Sequence, residues 1–147
     1  MTTRFEKHNK YFVISSEKSY VLLFKFLRKL YTTKLIVFLS GDIGVGKTTF
    51  VKYYIKSLNS NKNAYSPTFS LINEYAVSNL KIYHYDLYRL NNYRELQEIG
   101  VDYSLNLNGI HFVEWPNNFI KELPSPNIHI NFQALEYGTF LSIYNEL

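Results

Sequence analysis

The feature that most constrains this chain is a glycine-rich stretch that lies directly between an apolar run and a helical pattern. Leu35 to Leu39 is continuously apolar, as in a strand that is buried on both faces of a sheet. Phe50, Tyr54 and Leu58 then recur at helical spacing. The stretch between them, which matches the pattern G-x-x-x-x-G-K-[ST], is Gly41-Asp42-Ile43-Gly44-Val45-Gly46-Lys47-Thr48. The order strand, loop, helix predicts a phosphate-binding loop, or P-loop.

The residue types in this loop suit the phosphates of a nucleotide. Its three glycines allow backbone N–H groups to turn inward around phosphate oxygens without side-chain clashes. The helix that follows adds the positive end of its dipole. We expect Lys47 to reach the β- and γ-phosphates and the Thr48 hydroxyl to bind magnesium. The sequence therefore predicts binding of ATP or GTP together with Mg2+.

Two segments after the loop bear on the choice of nucleotide and on sensing of the γ-phosphate. The stretch at positions 61–64 begins with Asn61-Lys62, like the guanine-reading motif N-K-x-D, but Ala64 stands in place of the aspartate. This stretch also lies too close in sequence to the loop to be the guanine-reading motif, so ATP is favoured over GTP. Thr68 lies about twenty residues after the loop, where a switch threonine would sense the γ-phosphate. A capped turn residue is the alternative for Thr68.

Two acidic residues are candidates for the magnesium site. Asp86 and Glu114 each end a hydrophobic run that has the character of a buried strand. An ordinary strand-end acid is the alternative for each. His84 and Asp86 fall on the same face of their strand, which is also typical of a zinc site. The lack of a third ligand nearby in the sequence argues against zinc.

The remaining pattern predicts an α/β fold, namely a P-loop NTPase-like three-layer sandwich with a mixed, partly parallel β-sheet. Helices are expected before the apolar run, with Ser15 or Ser16 as its cap, after the loop, and over 92–99. Further strands are expected over 11–14, 69–77, 81–88, 109–114, 127–132 and 139–144. A chain of 147 residues is of the usual size for one domain, so we predict a single domain over 1–147.

Charge and composition limit the partners and the compartment. The net charge of +4 is modest and no dense basic run appears, so scattered solvated lysines are favoured over a nucleic-acid site. The absence of cysteine excludes disulfides and thiolate metal sites. Because no apolar run is long enough to span a bilayer or to act as a signal peptide, we expect a cytoplasmic protein with no membrane association.

Several blocks together resemble the TsaE (YjeE) family of small bacterial ATPases. The blocks follow the family's order and spacing over nearly the whole chain. They are the loop extended to Thr49, Ser66-Pro67-Thr68-Phe69 with Glu74-Tyr75, His84-Tyr85-Asp86-Leu87-Tyr88-Arg89-Leu90, Glu95-Leu96 with Gly100, and Val113-Glu114-Trp115-Pro116. A P-loop alone is generic, whereas the D-L-Y-R-L and E-W-P blocks in combination are specific to this family.

The resemblance implies a role in making threonylcarbamoyladenosine, a modified adenosine beside the anticodon of certain tRNAs. The expected partners are the proteins TsaD and TsaB, with tRNA contacted only through their complex. By position, Lys47 would contact phosphate, Thr48 magnesium, and Thr68 the γ-phosphate. Asp86 and Glu114 would be the acidic residues of the ATP site. We hypothesise that Glu114 holds magnesium while Asp86 orients the attacking water.

Other functions remain open from the residues themselves. A small-molecule P-loop kinase usually needs several arginines to clamp its two substrates, and only Arg89 and Arg94 follow the loop. A binding module that signals nucleotide state without meaningful turnover would carry the same motifs. No arginine is clearly placed as a built-in finger, so we expect slow ATP hydrolysis without partners.

Overall fold

The structure is a computed structural model that describes residues 9–58 and 71–145. These ranges contain seven β-strands, four α-helices and two short 3-10 helices, the latter over Glu17–Tyr20 and Pro116–Phe119. The strands are β1 (Asn9–Ile14), β2 (Lys34–Ser40), β3 (Ile72–Val77), β4 (Leu80–Asp86), β5 (Gly109–Glu114), β6 (Ile128–Leu135) and β7 (Gly138–Asn145). The helices are α1 (Val21–Leu30), α2 (Lys47–Ser57), α3 (Tyr93–Glu98) and α4 (Val101–Ser104).

All seven strands form one sheet in the order β1-β7-β6-β2-β5-β4-β3. Strand β2 lies in the middle and runs parallel to both of its neighbours, β5 and β6, and β4 is parallel to β5. The pairs at the two edges of the sheet are antiparallel. The predicted mixed, partly parallel sheet is therefore confirmed, and the central position of β2 explains its continuous apolar run.

Helices cover both faces of the sheet, which confirms the predicted three layers. On one face, the aromatic side chains of α1 and α2 pack edge-to-face on each other and on β5. Phe50 and Tyr54 lie 5.8 Å and 5.1 Å from the ring of Phe112, centroid to centroid. On the other face, Leu96 of α3 and Val101 of α4 are fully buried against the sheet. This packing fixes the ends of β2, β4 and β5, from which the candidate site is built.

Helix boundaries differ from the sequence-based prediction in two places. Of the expected caps Ser15 and Ser16, Ser16 is the N-cap residue of the short helix that leads directly into α1, but not of α1 itself. Ser16 makes no side-chain cap hydrogen bond, and α1 begins only after Tyr20. Helix α3 begins as expected: the Asn92 side chain accepts a hydrogen bond from the Glu95 amide and donates one to the Glu95 carboxylate. Helix α4 is not predicted by the sequence pattern, because a glycine such as Gly100 normally ends a helix and here also begins the next one.

Strand β4 ends at Asp86, two residues earlier than predicted. The Leu87 amide then donates to the Glu114 carbonyl, which brings the chain after β4 across the end of β5. Of the helices in the described ranges, none is long and apolar enough to cross a membrane.

Candidate functional site

The loop between β2 and α2 has the backbone that its glycines predict. Gly41, Gly44 and Gly46 have φ angles of 140°, 75° and 107°, in the region that favours glycine. At Gly41 space is also short, because a Cβ atom there would lie 2.5 Å from the Phe132 carbonyl oxygen of β6. Gly46 is the N-cap residue of α2, and within the described chain no side chain caps this helix. Its first N–H groups are therefore oriented toward the loop, as an anion site requires.

An open cavity of about 270 Å³ lies beside this loop. It is formed where the loop and α2 meet the carboxyl ends of β4 and β5, the edge at which open α/β sheets bind ligands. Its lining residues are Ile43, Gly44, Gly46, Lys47, Thr48, Thr49, Asp86, Tyr88, Glu114 and Trp115.

Lys47 places a buried ammonium group at the cavity. Only 4% of the residue is exposed. Its Nζ atom donates to the carbonyl oxygens of Gly41 and Asp42, at 2.6 and 2.8 Å. The same atom lies 4.1 Å from the ring centroid of Trp115, a cation–π contact. Burial lowers the pKa of Lys47, while the nearby charges of Glu114, Asp86 and Asp42 oppose that shift.

Glu114 lies at the end of β5 and links α2 to β4. Its Oε1 atom accepts a hydrogen bond of 2.7 Å from the Thr48 hydroxyl at the start of α2. The same oxygen lies 2.7 Å from Nε2 of His84 on β4. Glu114 is 3% exposed and His84 is 1% exposed, so the contact between them is shielded from solvent. The carboxylate and the hydroxyl expected to bind magnesium are thus in direct contact.

Asp86 lies directly opposite Glu114 in the pairing of β4 with β5. It is less buried than Glu114, and its Oδ1 atom accepts a hydrogen bond of 3.1 Å from the Tyr88 amide. Burial raises the pKa of Asp86, and the charge of Glu114 adds to that effect while the Tyr88 hydrogen bond opposes it.

The structure brings most of the predicted site residues together. Lys47, Thr48, Thr49, Asp86 and Glu114 all line the cavity, as do the loop positions Ile43, Gly44 and Gly46. The other loop positions, Gly41, Asp42 and Val45, contribute backbone: the first two hold the Lys47 ammonium, and the Val45 carbonyl accepts from the Thr139 hydroxyl at 3.4 Å. Thr68 lies outside the described residues.

The zinc hypothesis finds no support in the geometry. Within residues 9–58 and 71–145, no three His, Cys, Asp or Glu side chains are grouped to hold a metal ion. His84 is engaged with Glu114, and Asp86 with the Tyr88 amide. The cavity instead offers a hydroxyl and two carboxylates, the hard oxygen donors that magnesium prefers. The buried ammonium and the open helix N-terminus suit phosphate groups in the same way.

Sequence reasoning missed two features of the site. The Tyr88 ring lies 4.7 Å from the Trp115 ring and forms part of the cavity wall beside Lys47. The contact between His84 and Glu114 was also missed, since the two residues are thirty positions apart. The register between β4 and β5 would have revealed the second contact. Arg94, a candidate phosphate contact, instead pairs with Glu98 on the exposed surface of α3.

Comparison with known proteins places this arrangement in one family. The family model described as "Threonylcarbamoyl adenosine biosynthesis protein TsaE" matches residues 14–139, which include every residue of the cavity lining. The chain is similar to proteins named tRNA threonylcarbamoyladenosine biosynthesis protein TsaE in several bacteria. The Rickettsia felis protein is 39% identical over 125 residues, covering 84% of this chain and 72% of that protein.

Two further relatives agree with this assignment, and one solved structure shares the fold. The Haemophilus influenzae TsaE protein is 39% identical over 71% of this chain and 67% of its own length. The Bacillus subtilis TsaE protein is 36% identical over 65% of this chain and 59% of its own length. A crystal structure of Bacillus subtilis YdiB superposes with a TM-score of 0.75, covering 96% of this chain and 88% of that one. At 22% identity this superposition shows that the fold is shared.

Proposed function

The chain belongs to the TsaE family, which acts in tRNA threonylcarbamoyladenosine biosynthesis, and we propose that it does so as a magnesium-dependent ATPase that acts on the TsaD–TsaB complex. The observation that carries this proposal is the contact between Thr48 and Glu114 beside the buried Lys47 ammonium. A hydroxyl, a carboxylate and a cation meet there at the N-terminus of α2. Phosphoryl transfer needs such a set, because its catalysis is mostly positioning and charge stabilisation.

In the proposed reaction the loop and Lys47 bind the phosphates of ATP. The ammonium group now shares its hydrogens with the carbonyls of Gly41 and Asp42, two acceptors within its own loop. Phosphate oxygens carry more negative charge than these carbonyls, so they compete well for the same donors. The Trp115 ring keeps the ammonium at the cavity, and the N–H groups of α2 add further donors.

Thr48 and Glu114 are the residues that would hold magnesium. When bound there, the ion would neutralise charge on the phosphates and favour departure of ADP as water attacks the γ-phosphate. The Thr48 hydroxyl now donates to Glu114, and it would turn a lone pair toward the cation instead. Asp86 lines the same cavity, and its raised pKa suits a carboxylate that orients water and accepts a proton.

The proposed activity is slow without partners. Among the described residues, no arginine lines the cavity. An arginine supplied by a partner stabilises the transition state of phosphoryl transfer and raises the rate by about 1,000- to 100,000-fold in related P-loop enzymes. We therefore propose that the TsaD–TsaB complex stimulates hydrolysis, and that tRNA is reached only through that complex.

The experiment that tests this proposal measures ATP hydrolysis by the purified chain, alone and with TsaD and TsaB from the same source. Slow turnover that rises on adding the pair is expected, and Lys47→Ala should abolish it. Lys52→Ala is the matched control, because Lys52 is an exposed lysine on the same helix. Brisk turnover without partners, or phosphate transfer to a nucleoside or sugar, would contradict the proposal. Modification of tRNA that persists in a hydrolysis-dead variant would favour a nucleotide-gated binding module.

A further inference from the structure

We infer that His84 is a positioning residue of this site: through a buried hydrogen bond it orients the Glu114 carboxylate that serves the magnesium ion. The inference rests on the proposed function, since it assigns His84 a role within the magnesium site. His84 is not among the described residues that line the cavity, whereas Glu114 is. The hydrogen bond from His84 to the site is therefore the one to Glu114.

The direction of this hydrogen bond follows from the other partner of Glu114. The Oε1 atom already accepts a hydrogen from the Thr48 hydroxyl, and an ionised carboxylate can only accept. Nε2 of His84 must then carry a hydrogen and donate it at 2.7 Å. Two donors, one from α2 and one from β4, thus converge on the same oxygen. The carboxylate is fixed from both sides rather than free to rotate about its own bonds.

The contact is built into the sheet. His84 pairs with Phe112 in the parallel register of β4 with β5, and Glu114 follows two residues later on the same face. His84 is held between β3 and β5, opposite Asn73 on the outer strand. A side chain confined in this way has few alternative rotamers, which is what a group that orients a metal ligand requires.

A purely structural role makes a different prediction. If His84 served only as a hydrogen-bond donor to the buried Glu114 carboxylate, replacing it would lower stability and leave magnesium binding by the folded protein unchanged. If it orients Glu114, replacement weakens the magnesium-dependent part of ATP binding in protein that remains folded. The ratio of ATP affinity with magnesium to ATP affinity with a chelator separates the two roles.

Two amide substitutions provide a matched pair. In His84→Gln the amide nitrogen lies as many bonds from Cβ as Nε2 does in histidine, so the donor toward Glu114 is retained. In His84→Asn the same amide lies one bond nearer to the backbone and falls short of Oε1. Both variants are polar and neutral, so the difference between them reports on the hydrogen bond.

The affinities are measured by calorimetric titration with ATP, with and without magnesium, and the melting temperature of each variant is recorded. The magnesium gain is the factor by which magnesium raises the affinity for ATP. We expect His84→Asn to reduce this gain by about 10- to 100-fold, the usual effect of losing a partner of a metal ligand. His84→Gln should keep most of the gain, and affinity without magnesium should be unchanged in both. A full magnesium gain in folded His84→Asn would overturn the inference. Absence of a magnesium gain in the wild-type chain would instead overturn the proposed function.

A measurement on the wild-type chain keeps the inference testable if His84→Asn does not fold. Nitrogen-labelled histidine is observed by NMR, and the His84 signal is assigned by its loss in His84→Gln. We expect a protonated Nε2 whose resonance shifts when magnesium and ATP are added together, but not with ATP and a chelator. An unprotonated Nε2, or a His84 resonance that does not shift when magnesium is added with ATP, would overturn the inference.

Discussion

Two buried histidines lie on neighbouring strands of the sheet and point to opposite faces. His84 on β4 faces α2, and His111 on β5 faces the layer of α3 and α4. Their exposures are nearly equal, at 1% and 0%. His84 contacts Glu114, which lines the cavity. The ring of His111 stacks on Tyr83 at 4.7 Å.

The difference lies in what surrounds the partner of each histidine. Nδ1 of His111 lies 2.9 Å from the Tyr85 hydroxyl, and its Nε2 lies 3.0 Å from the Leu107 carbonyl oxygen. The Tyr85 hydroxyl also lies 3.0 Å from Oγ of Ser104, which donates to a backbone carbonyl of α4. This network ends within the core, whereas the contact of His84 ends at a cavity. Burial and hydrogen bonding therefore do not mark a functional histidine, but the position of its partner does.

The largest effects are expected from substitutions of the two carboxylates that line the cavity, and the two substitutions should affect different steps. Asp86→Asn should lower partner-stimulated ATP hydrolysis by about 100- to 10,000-fold, the usual contribution of an acid–base residue, while magnesium-dependent ATP binding is retained. Glu114→Gln should lose the magnesium dependence of binding itself. Single-turnover hydrolysis and calorimetric titration with and without magnesium measure the two effects.

Neither substitution is expected to lower the melting temperature by more than a few degrees, because each replaces a carboxylate by an amide of the same shape. If Asp86→Asn lost magnesium dependence and Glu114→Gln kept it, the two roles would have to be exchanged. Unchanged behaviour in either variant would remove that residue from the site.

A smaller effect is expected on the core side. Tyr85→Phe removes the hydroxyl that His111 and Ser104 share, and a buried polar group left without its partner costs about 1–3 kcal/mol of the free energy of unfolding. Each kcal/mol lowers the melting temperature by about 2–4 °C in a domain of this size. Tyr103→Phe is the control, since Tyr103 is 74% exposed. A loss of ATPase activity in Tyr85→Phe at temperatures where it remains folded would break the contrast between the two faces.

The smallest effect is the pH dependence that His111 confers on stability. Burial lowers the pKa of His111 below its ordinary value of 6.5, so as the pH falls the unfolded chain binds this proton before the folded one. Stability is then lost below about pH 6.5, by at most about 1.4 kcal/mol for each pH unit. In His111→Gln, which keeps a donor toward Leu107, the melting temperature should fall less between about pH 7 and pH 5. Identical slopes for the two proteins would show that His111 does not titrate in this way.

Local patterns predicted most of the elements of this fold, whereas contacts between distant strands were not predictable. The strand, loop and helix around Gly41 to Thr48 are where the sequence places them, because a periodic pattern and its glycines act over a few residues. Helix α4 was missed because Gly100, in the left-handed conformation that ends α3, is also the N-cap residue of the next turn. The order of the strands and the contact between His84 and Glu114 depend on register, which a single sequence does not encode locally.

The phosphate loop contacts strands β6 and β7, which the ribosome synthesises much later than the loop itself. Gly41 abuts the Phe132 carbonyl of β6, and the Val45 carbonyl accepts from Thr139 of β7, 94 positions further on. During synthesis, the loop and its helix leave the ribosome long before the hairpin of β6 and β7 exists. The nascent chain therefore cannot complete the wall of its phosphate loop until residue 139 has emerged, and contacts so distant in sequence also slow folding. A ribosome that stops before that point releases a chain with an intact loop sequence but without the hairpin contacts that brace the loop.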